Sequence, residues 1–390
     1  MDVYEKSLKK HYEWAGKMET KLRAPIDSLD DLALCYTPGV SRACTVIAED
    51  KSKVYELTNR HNTVAVVTDG TAVLGLGDIG PEAAMPVMEG KCALFKKFGD
   101  IDATPVCLNT KDTDEIVRTV AAISTSYGGI NLEDISAPRC FEIERRLKEL
   151  CDIPIFHDDQ HGTAIVAGAA LLNALRVVGK DIKNIRIAIN GAGSAGVAIA
   201  KFFTELGVGD IVCVCRKGVI VPGEHYDNAG HAELATFTNK SKIRGTLADA
   251  IRGADVFLGV SVPNVVTKDM IKSMANKPIV FPLANPVPEI TREAALEAGA
   301  AVVGTGASNQ PNQINNVLIF PGIFRGALDC RATDINGPMK RAAATALASL
   351  VSDSELNADY IIPNPLDKRV AKAVSEAVAK AAIESGVARI

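Results

Sequence analysis

Ile185-Arg-Ile-Ala-Ile-Asn190 runs directly into Gly191-Ala-Gly-Ser-Ala-Gly196, which opens into Val197-Ala-Ile-Ala-Lys-Phe-Phe-Thr-Glu-Leu206. An apolar strand, a G-x-G-x-x-G turn and an apolar helix follow one another. A further strand, Asp210-Ile-Val-Cys-Val-Cys215, arrives at the distance a βαβ unit needs. The glycines allow a tight turn, and the helix N-terminus offers free N–H groups to a pyrophosphate. Gly191, Ala192, Gly193, Ser194, Ala195 and Gly196 are therefore the expected dinucleotide-binding turn. The pattern alone decides nothing, because Gly75-Leu-Gly-Asp-Ile-Gly80 matches it too. That copy carries Asp78, whose carboxylate would repel a diphosphate, and it reads as a turn near the substrate.

The end of the second strand bears on cofactor choice. An NAD site usually places Asp or Glu there, for the ribose 2′-hydroxyl. Here Cys215 stands in that place, followed by Arg216 and Lys217. Two cations suit a 2′-phosphate, so NADP is the expected cofactor, with NAD possible.

Working outward, strands and helices alternate along the chain. Strands are expected over Asn62–Thr68, Ala103–Leu108, Ile130–Leu132 and Ile153–Phe156, then over Ile185–Asn190, Ile211–Val214, Val256–Val260, Ile279–Leu283 and Ala301–Val303. Helices are expected over residues 1–24, 81–98, 113–127, 138–150 and 163–178, with alanine-rich helices over 339–350 and 367–383. This alternation predicts an α/β protein of two domains: an N-terminal α/β substrate- and metal-binding unit, residues 1–160, and a C-terminal Rossmann-type unit with trailing helices, residues 161–390. The stretch 157–162 is the expected hinge.

Composition narrows the class. The 390 residues exceed one ordinary domain, and a hydrophobic content of 47% can fill two cores. The net charge of −4 includes no basic block, so neither nucleic acid nor an anionic membrane surface is an expected partner. The apolar run from Gly162 to Leu175 is short of the ~20 residues a bilayer span needs, and it reads as a buried helix. Met1-Asp-Val-Tyr-Glu-Lys-Ser7 has no apolar signal-peptide core, and a cytoplasmic location is expected. The nine cysteines are scattered and read as reduced thiols.

Two acidic pairs complete the picture: Glu133-Asp134, and Asp158-Asp159 in His157-Asp-Asp-Gln-His-Gly-Thr163. Oxygen ligands from separate loops suit a hard divalent cation, Mg2+ or Mn2+. A metal beside a dinucleotide suggests oxidation of a small hydroxy acid.

Several segments together resemble the small bacterial and archaeal malic enzymes. They are Tyr36-Thr-Pro-Gly-Val40, Thr68-Asp-Gly-Thr-Ala-Val-Leu-Gly-Leu-Gly-Asp78, Pro86-Val-Met-Glu-Gly-Lys91, Asn131-Leu-Glu-Asp-Ile135, His157–Thr163 and Asn315-Asn-Val-Leu-Ile-Phe-Pro-Gly322. Each is weak alone, and their order and spacing are specific. The resemblance implies oxidative decarboxylation of L-malate to pyruvate and CO2 with NADP or NAD and a divalent metal. It implies Tyr36 as general acid, Lys91 as general base in its neutral form, and Asp158 as the partner that orients Lys91. It implies Glu133, Asp134 and Asp159 as metal ligands, and Asn285, Asn315 and Asn316 as substrate contacts, with Asn285 also beside the cofactor. A homodimer is implied as well, with the N-terminal helix and Trp14 suited to the contact. One departure stands out: the large eukaryotic members carry an arginine for a substrate carboxylate where this chain has Ala72. The alternatives are a malolactic-type enzyme, another two-domain dehydrogenase, and a catalytically silent NADP-binding regulator.

Overall fold

Runs of Val, Ile and Thr suit the pleated, doubly covered strands of parallel sheets, and here they build two. In the first, Thr63–Thr68 (β1), Asp102–Cys107 (β2), Gly129–Leu132 (β3) and Ile155–His157 (β4) pair in the order β2-β1-β3-β4, all parallel. In the second, Arg186–Asn190 (β5), Asp210–Cys215 (β6), Gly218–Val219 (β7), Val256–Gly259 (β8), Ile279–Pro282 (β9) and Val302–Val303 (β10) take the order β10-β9-β8-β5-β6-β7. Only β7 runs antiparallel to its neighbour. The structure, a computed structural model, describes residues 2–73 and 75–390. The expected α/β class holds.

The helix expected over 163–178 begins five residues earlier and spans Asp158–Val178. It contains residue 160, where the sequence suggested one domain ends. Asp158 and Asp159 therefore lie in its first turn, where negative charge is favoured by the helix dipole. The stretch expected as a hinge is thus the last residue of β4 and the start of this helix, and it is largely buried. Gly162 serves packing there, because a Cβ on it would come within 1.9 Å of Asp158 Oδ1. By length and composition this is the one candidate membrane span among the described residues, but 72% of its most apolar 18-residue stretch is buried inside the protein. Its close partner is Ser194–Glu205, admitted by Gly168, whose Cβ would meet the Phe202 ring at 2.6 Å.

The chain does not end on the second sheet. Phe320–Asp329, Gly337–Ser349 and Arg369–Glu384 pack on one another and return to the first unit. Phe320 and Phe324 stack on Phe95 with ring centroids at 4.7 and 5.3 Å, and Phe324 also meets Phe156 at 5.7 Å. One hydrophobic cluster therefore runs from Phe95 to Val378 through both units. The first of these helices was not among those expected from the sequence. Its proline, Pro321, sits in the first turn, where its missing N–H costs nothing.

The N-terminal segment also departs from expectation. Helix covers Val3–Trp14 only and is stopped by left-handed Ala15 (φ 48°) and Gly16 (φ 120°). No described residue before Asn62 is buried. More than half of the exposed large apolar side chains among the described residues fall within residues 3–36, Leu8, Tyr12 and Trp14 among them.

Candidate active site

β3 and β4 are hydrogen-bonded neighbours, so their C-terminal ends deliver the two acidic pairs to one place. Glu133, Asp134 and Asp159 each bring a carboxylate oxygen within 4.8 Å of the others. Asp134 holds φ 53°, a left-handed conformation that Asp tolerates better than most side chains, and its backbone N–H donates to Asp159 Oδ2 at 2.7 Å. Asn131 Nδ2 donates to Glu133 Oε2 at 2.8 Å.

Lys91 enters from the helix Pro81–Gly99. Its Nζ lies 2.6 Å from Asp158 Oδ2 and 2.8 Å from Glu133 Oε1, and 4.4 Å above the centre of the Phe320 ring. Asn316 Nδ2 donates to the same Asp158 oxygen at 2.5 Å, while Asp158 Oδ1 has no hydrogen-bond partner among the described residues. Burial pulls the Lys91 pKa down, but Asp158, Glu133 and Asp159 push it up and prevail. The expectation of a neutral amine is therefore not met by the protein alone, where Lys91 is an ammonium held by carboxylates. Burial raises the pKa of Glu133, Asp158 and Asp159 against that ammonium. Three carboxylates, Glu133, Asp158 and Asp159, act on this one ammonium, and the oxygen-only set of Glu133, Asp134 and Asp159 suits a hard divalent cation. The residues present fit such an ion.

The remaining site residues are distributed less evenly. Asn315 Oδ1 caps the short helix after it by accepting from Val317 N–H at 2.9 Å. Asn285 is exposed and joined to Pro286 by a cis bond. Its carbonyl oxygen would lie 3.2 Å from a Cβ on Gly75, so the first G-x-G-x-x-G segment packs against this loop of the second unit. Tyr36 stands apart. It caps Leu29–Cys35, is 68% exposed against 8% for Lys91, and no hydrogen bond among the described residues joins its hydroxyl to the site.

The glycine turn is built as its pattern predicts. Gly191 (φ 108°) lies so near Val260 that a Cβ would fall 2.5 Å from that carbonyl oxygen, and a Cβ on Gly196 would reach Gly191 O at 1.7 Å. A Cβ on Gly193 would meet nothing within 4 Å, and the helix Ser194–Glu205 has no side chain capping its N-terminus. Its first N–H groups, with Ala192, Ser194 and Ala195 around them, are left for a ligand at the β5/β8 switch point. Arg216 and Lys217 form the exposed two-residue tip between β6 and β7, and neither is in a salt bridge among the described residues.

Two clusters escaped the sequence reading. Arg139 donates to Thr71 Oγ1 at 3.0 Å, pairs with buried Asp69 at 2.8 Å and bonds the Lys111 carbonyl at 2.9 Å, which places a guanidinium beside the Ala72 segment. It reads in sequence as an ordinary first-turn residue. His161 lies 2.8 and 2.9 Å from the two Glu144 oxygens through Nε2, and Lys340 Nζ is 3.0 Å from its Nδ1. Lysine can only donate, so Nδ1 accepts and Nε2–H donates. Burial draws His161 down to about 4 and keeps it neutral. Lys340 lies 179 positions from His161, with no pattern to connect them.

Comparisons with known proteins agree with this geometry. Residues 15–148 match the family description "Malic enzyme, N-terminal domain" and residues 160–383 match "Malic enzyme, NAD binding domain". The chain is 58% identical to a bifunctional malic/malolactic enzyme of Bacillus subtilis, over 100% of this chain and 95% of that protein. It is also 58% identical to an NAD-dependent malic enzyme of Geobacillus stearothermophilus, over 96% and 78%. The NAD-dependent malic enzyme of Thermotoga maritima superposes with a TM-score of 0.92 at 47% identity, covering 97% of this chain and 99% of that one. The malic enzyme of Pyrococcus horikoshii does so with 0.95 at 46%, covering 100% and 92%. The buried carboxylates beside a lysine, the glycine turn and these likenesses lead to one conclusion: the chain belongs to the malic enzyme family, and it is an enzyme that oxidises malate with NAD or NADP.

Proposed function

We propose that the enzyme catalyses metal-dependent oxidative decarboxylation of L-malate to pyruvate and CO2, with NADP as the preferred acceptor. The observation that carries this reading is the convergence of Glu133, Asp134 and Asp159 within 4.8 Å, beside the Lys91–Asp158 pair. Residues 1–160 would supply the metal and substrate groups, and residues 161–390 the cofactor groups. Glu133, Asp134 and Asp159 would hold Mg2+ or Mn2+, which supplies Lewis-acid polarisation of the substrate oxygens. Gly191–Gly196 would hold NADP, which would supply the hydride acceptor, and Arg216 and Lys217 would be the cations available to its 2′-phosphate.

Lys91 takes the proton of the C2 hydroxyl as hydride leaves C2. Burial is the largest single influence on Lys91 and favours the amine that a base requires; Asp158, Glu133 and Asp159 oppose it, and a bound cation would offset the charge of Glu133 and Asp159. Asp158, fixed by Asn316, holds the Lys91 nitrogen in place. Oxidation leaves a β-keto acid, whose C4 carboxylate departs as CO2, and Tyr36 returns a proton to C3. Asn285 and Asn315 would contact the substrate, and Arg139 offers a cation near the position that Ala72 leaves without one.

Tyr36 can serve this site only if the N-terminal arm is brought to a Lys91. A homodimer joined through the apolar arm does that, with each Tyr36 entering the partner's site. The nine cysteines are all unpaired, which suits a cytoplasmic enzyme. A second reading, malolactic conversion, is favoured by the bifunctional Bacillus subtilis relative. Steady-state assays with L-malate, with NADP or NAD, and with or without Mn2+ test both readings. Metal-dependent NADPH, pyruvate and CO2 in equal amounts are expected. Lactate without net NADPH would favour the second reading, and turnover of malate in excess chelator would refute the metal role.

A further inference from the structure

Glu289 is a buried carboxylate, 0% exposed, that no part of the chemistry above uses. Its Oε1 accepts from the Ser261 N–H at 2.8 Å and the Ser261 hydroxyl at 3.3 Å, and its Oε2 accepts from the Ala284 N–H at 3.1 Å. Among the described residues it has no cation within salt-bridge distance. Burial raises its pKa, and the hydrogen bonds oppose that rise by favouring the charged form.

The surroundings are shaped for this one group. Gly259, the last residue of β8, has no room for a side chain, because a Cβ would stand 2.3 Å from the Glu289 carboxyl carbon. Ser261 Oγ also accepts from Asn190 Nδ2 at 2.6 Å, and Asn190 is the last residue of β5, directly before Gly191. The Glu289 carbonyl accepts from Val266 N–H at 3.0 Å, which ties the loop after β8 to the loop after β9. Three strand ends meet at this carboxylate: β5 through Asn190 and Ser261, β8 through Ser261, and β9 through Ala284. In an open parallel sheet, the space outside these carboxyl ends is where a dinucleotide lies.

A buried charge with no counter-charge is costly, and its cost is offset only by well-aimed donors. An apolar side chain would join these loops more simply but could not hold two N–H groups in fixed directions. Ala284 immediately precedes Asn285, whose carbonyl faces Gly75 of the first unit. The carboxylate therefore fixes the side of the cleft that the first unit approaches.

We propose that Glu289 is a positioning residue for the dinucleotide, tying the loops after β8 and β9 to the glycine turn so that the three strand ends form one rigid cofactor face. This rests on the reading of Gly191–Gly196 as the cofactor turn. The test is Glu289→Gln, which keeps the shape but turns an NH2 towards one of the N–H donors. NADPH and NADH binding are measured by the fluorescence of the bound nucleotide, and Mn2+ binding by electron paramagnetic resonance. Losing one buried donor–acceptor match weakens binding of the preferred nucleotide about tenfold, while Mn2+ affinity, set by the first unit, stays within about twofold. An unchanged nucleotide affinity overturns the proposal. An equal loss of Mn2+ affinity does so too, because it would mark general disruption. If the wild type itself binds neither nucleotide, the cofactor reading fails instead. If Glu289→Gln does not fold, Glu289→Asp decides. It keeps the charge but is one methylene short, and it should weaken nucleotide binding by at least about threefold with Mn2+ binding intact.

Discussion

Mixing two inactive variants tests the link between the arm and the site. Tyr36→Phe removes the phenol that would protonate C3, and Lys91→Ala removes the proposed base. Each variant alone should be nearly inactive. If Tyr36 enters the partner's site, a mixed dimer contains one site with Lys91 from one chain and Tyr36 from the other, both intact, and a second site lacking both. Random reassociation of equal amounts makes about half of the dimers mixed. Each mixed dimer has one working site of two, so about a quarter of wild-type NADPH production should return. The structure motivates this number through one contrast: Lys91 is 8% exposed among its carboxylates, whereas Tyr36 is 68% exposed on a segment with no buried residue. The assay is NADPH absorbance after the two variants are unfolded together, refolded and compared with wild type treated alike. Wild type refolded alone sets the full scale. A mixture no more active than the separate variants would show that each chain uses its own Tyr36, or that Tyr36 is not the acid, and would refute the shared-site reasoning.

Four further outcomes follow from the geometry. Saturating Mn2+ at about a hundred times its Kd should stabilise the protein by about 2.7 kcal/mol, and Asp159→Asn should abolish most of that gain in a thermal melt; an equal gain in both would remove Asp159 from the ligand set. Lys91→Ala should lower kcat roughly a hundred- to ten-thousand-fold while leaving Mn2+ binding largely intact, and an unchanged kcat would exclude it as the base. Arg216→Ala should raise the KM for NADP relative to that for NAD by roughly tenfold, and an unaltered ratio would leave the arginine as surface charge only. Burial draws Lys340 down to about 8 from the ordinary 10.5. Between those pH values the unfolded chain still binds a proton that the native state has released, so native stability should rise with pH there. The rise is at most ~3 kcal/mol, and urea titrations of Lys340→Met should lack it; a variant with the same slope would sink the assignment.

The parts legible in sequence share a physical trait: they are local. The glycine turn was readable because a strand, three glycines and a helix within 22 residues leave few other conformations open, and Gly191 and Gly196 have no space for a Cβ. Most strands of the two sheets were readable because a strand buried on both faces, such as Arg186–Asn190 or Val256–Gly259, is largely apolar, whereas the two-residue Gly218–Val219 carries too little pattern to be read. What was missed depends on partners far along the chain. That His161 is fixed between Glu144 and Lys340 follows from the return of the C-terminal helices to the first unit, and no spacing rule connects positions so distant. The same return puts Phe320 under Lys91, where the motif Asn315–Gly322 had suggested only substrate contacts. The expectation of a neutral lysine rested on burial and on a nearby positive charge, and in the protein without a cation the carboxylates that two adjacent strand ends bring together outweigh burial. A lysine in an apolar stretch is made neutral by burial alone; among Glu133, Asp158 and Asp159 it is an ammonium until something else takes up their charge. The charge balance of this site is therefore a property of the fold, and the cation that would release Lys91 to act as a base is the same one that the carboxylates are gathered to hold.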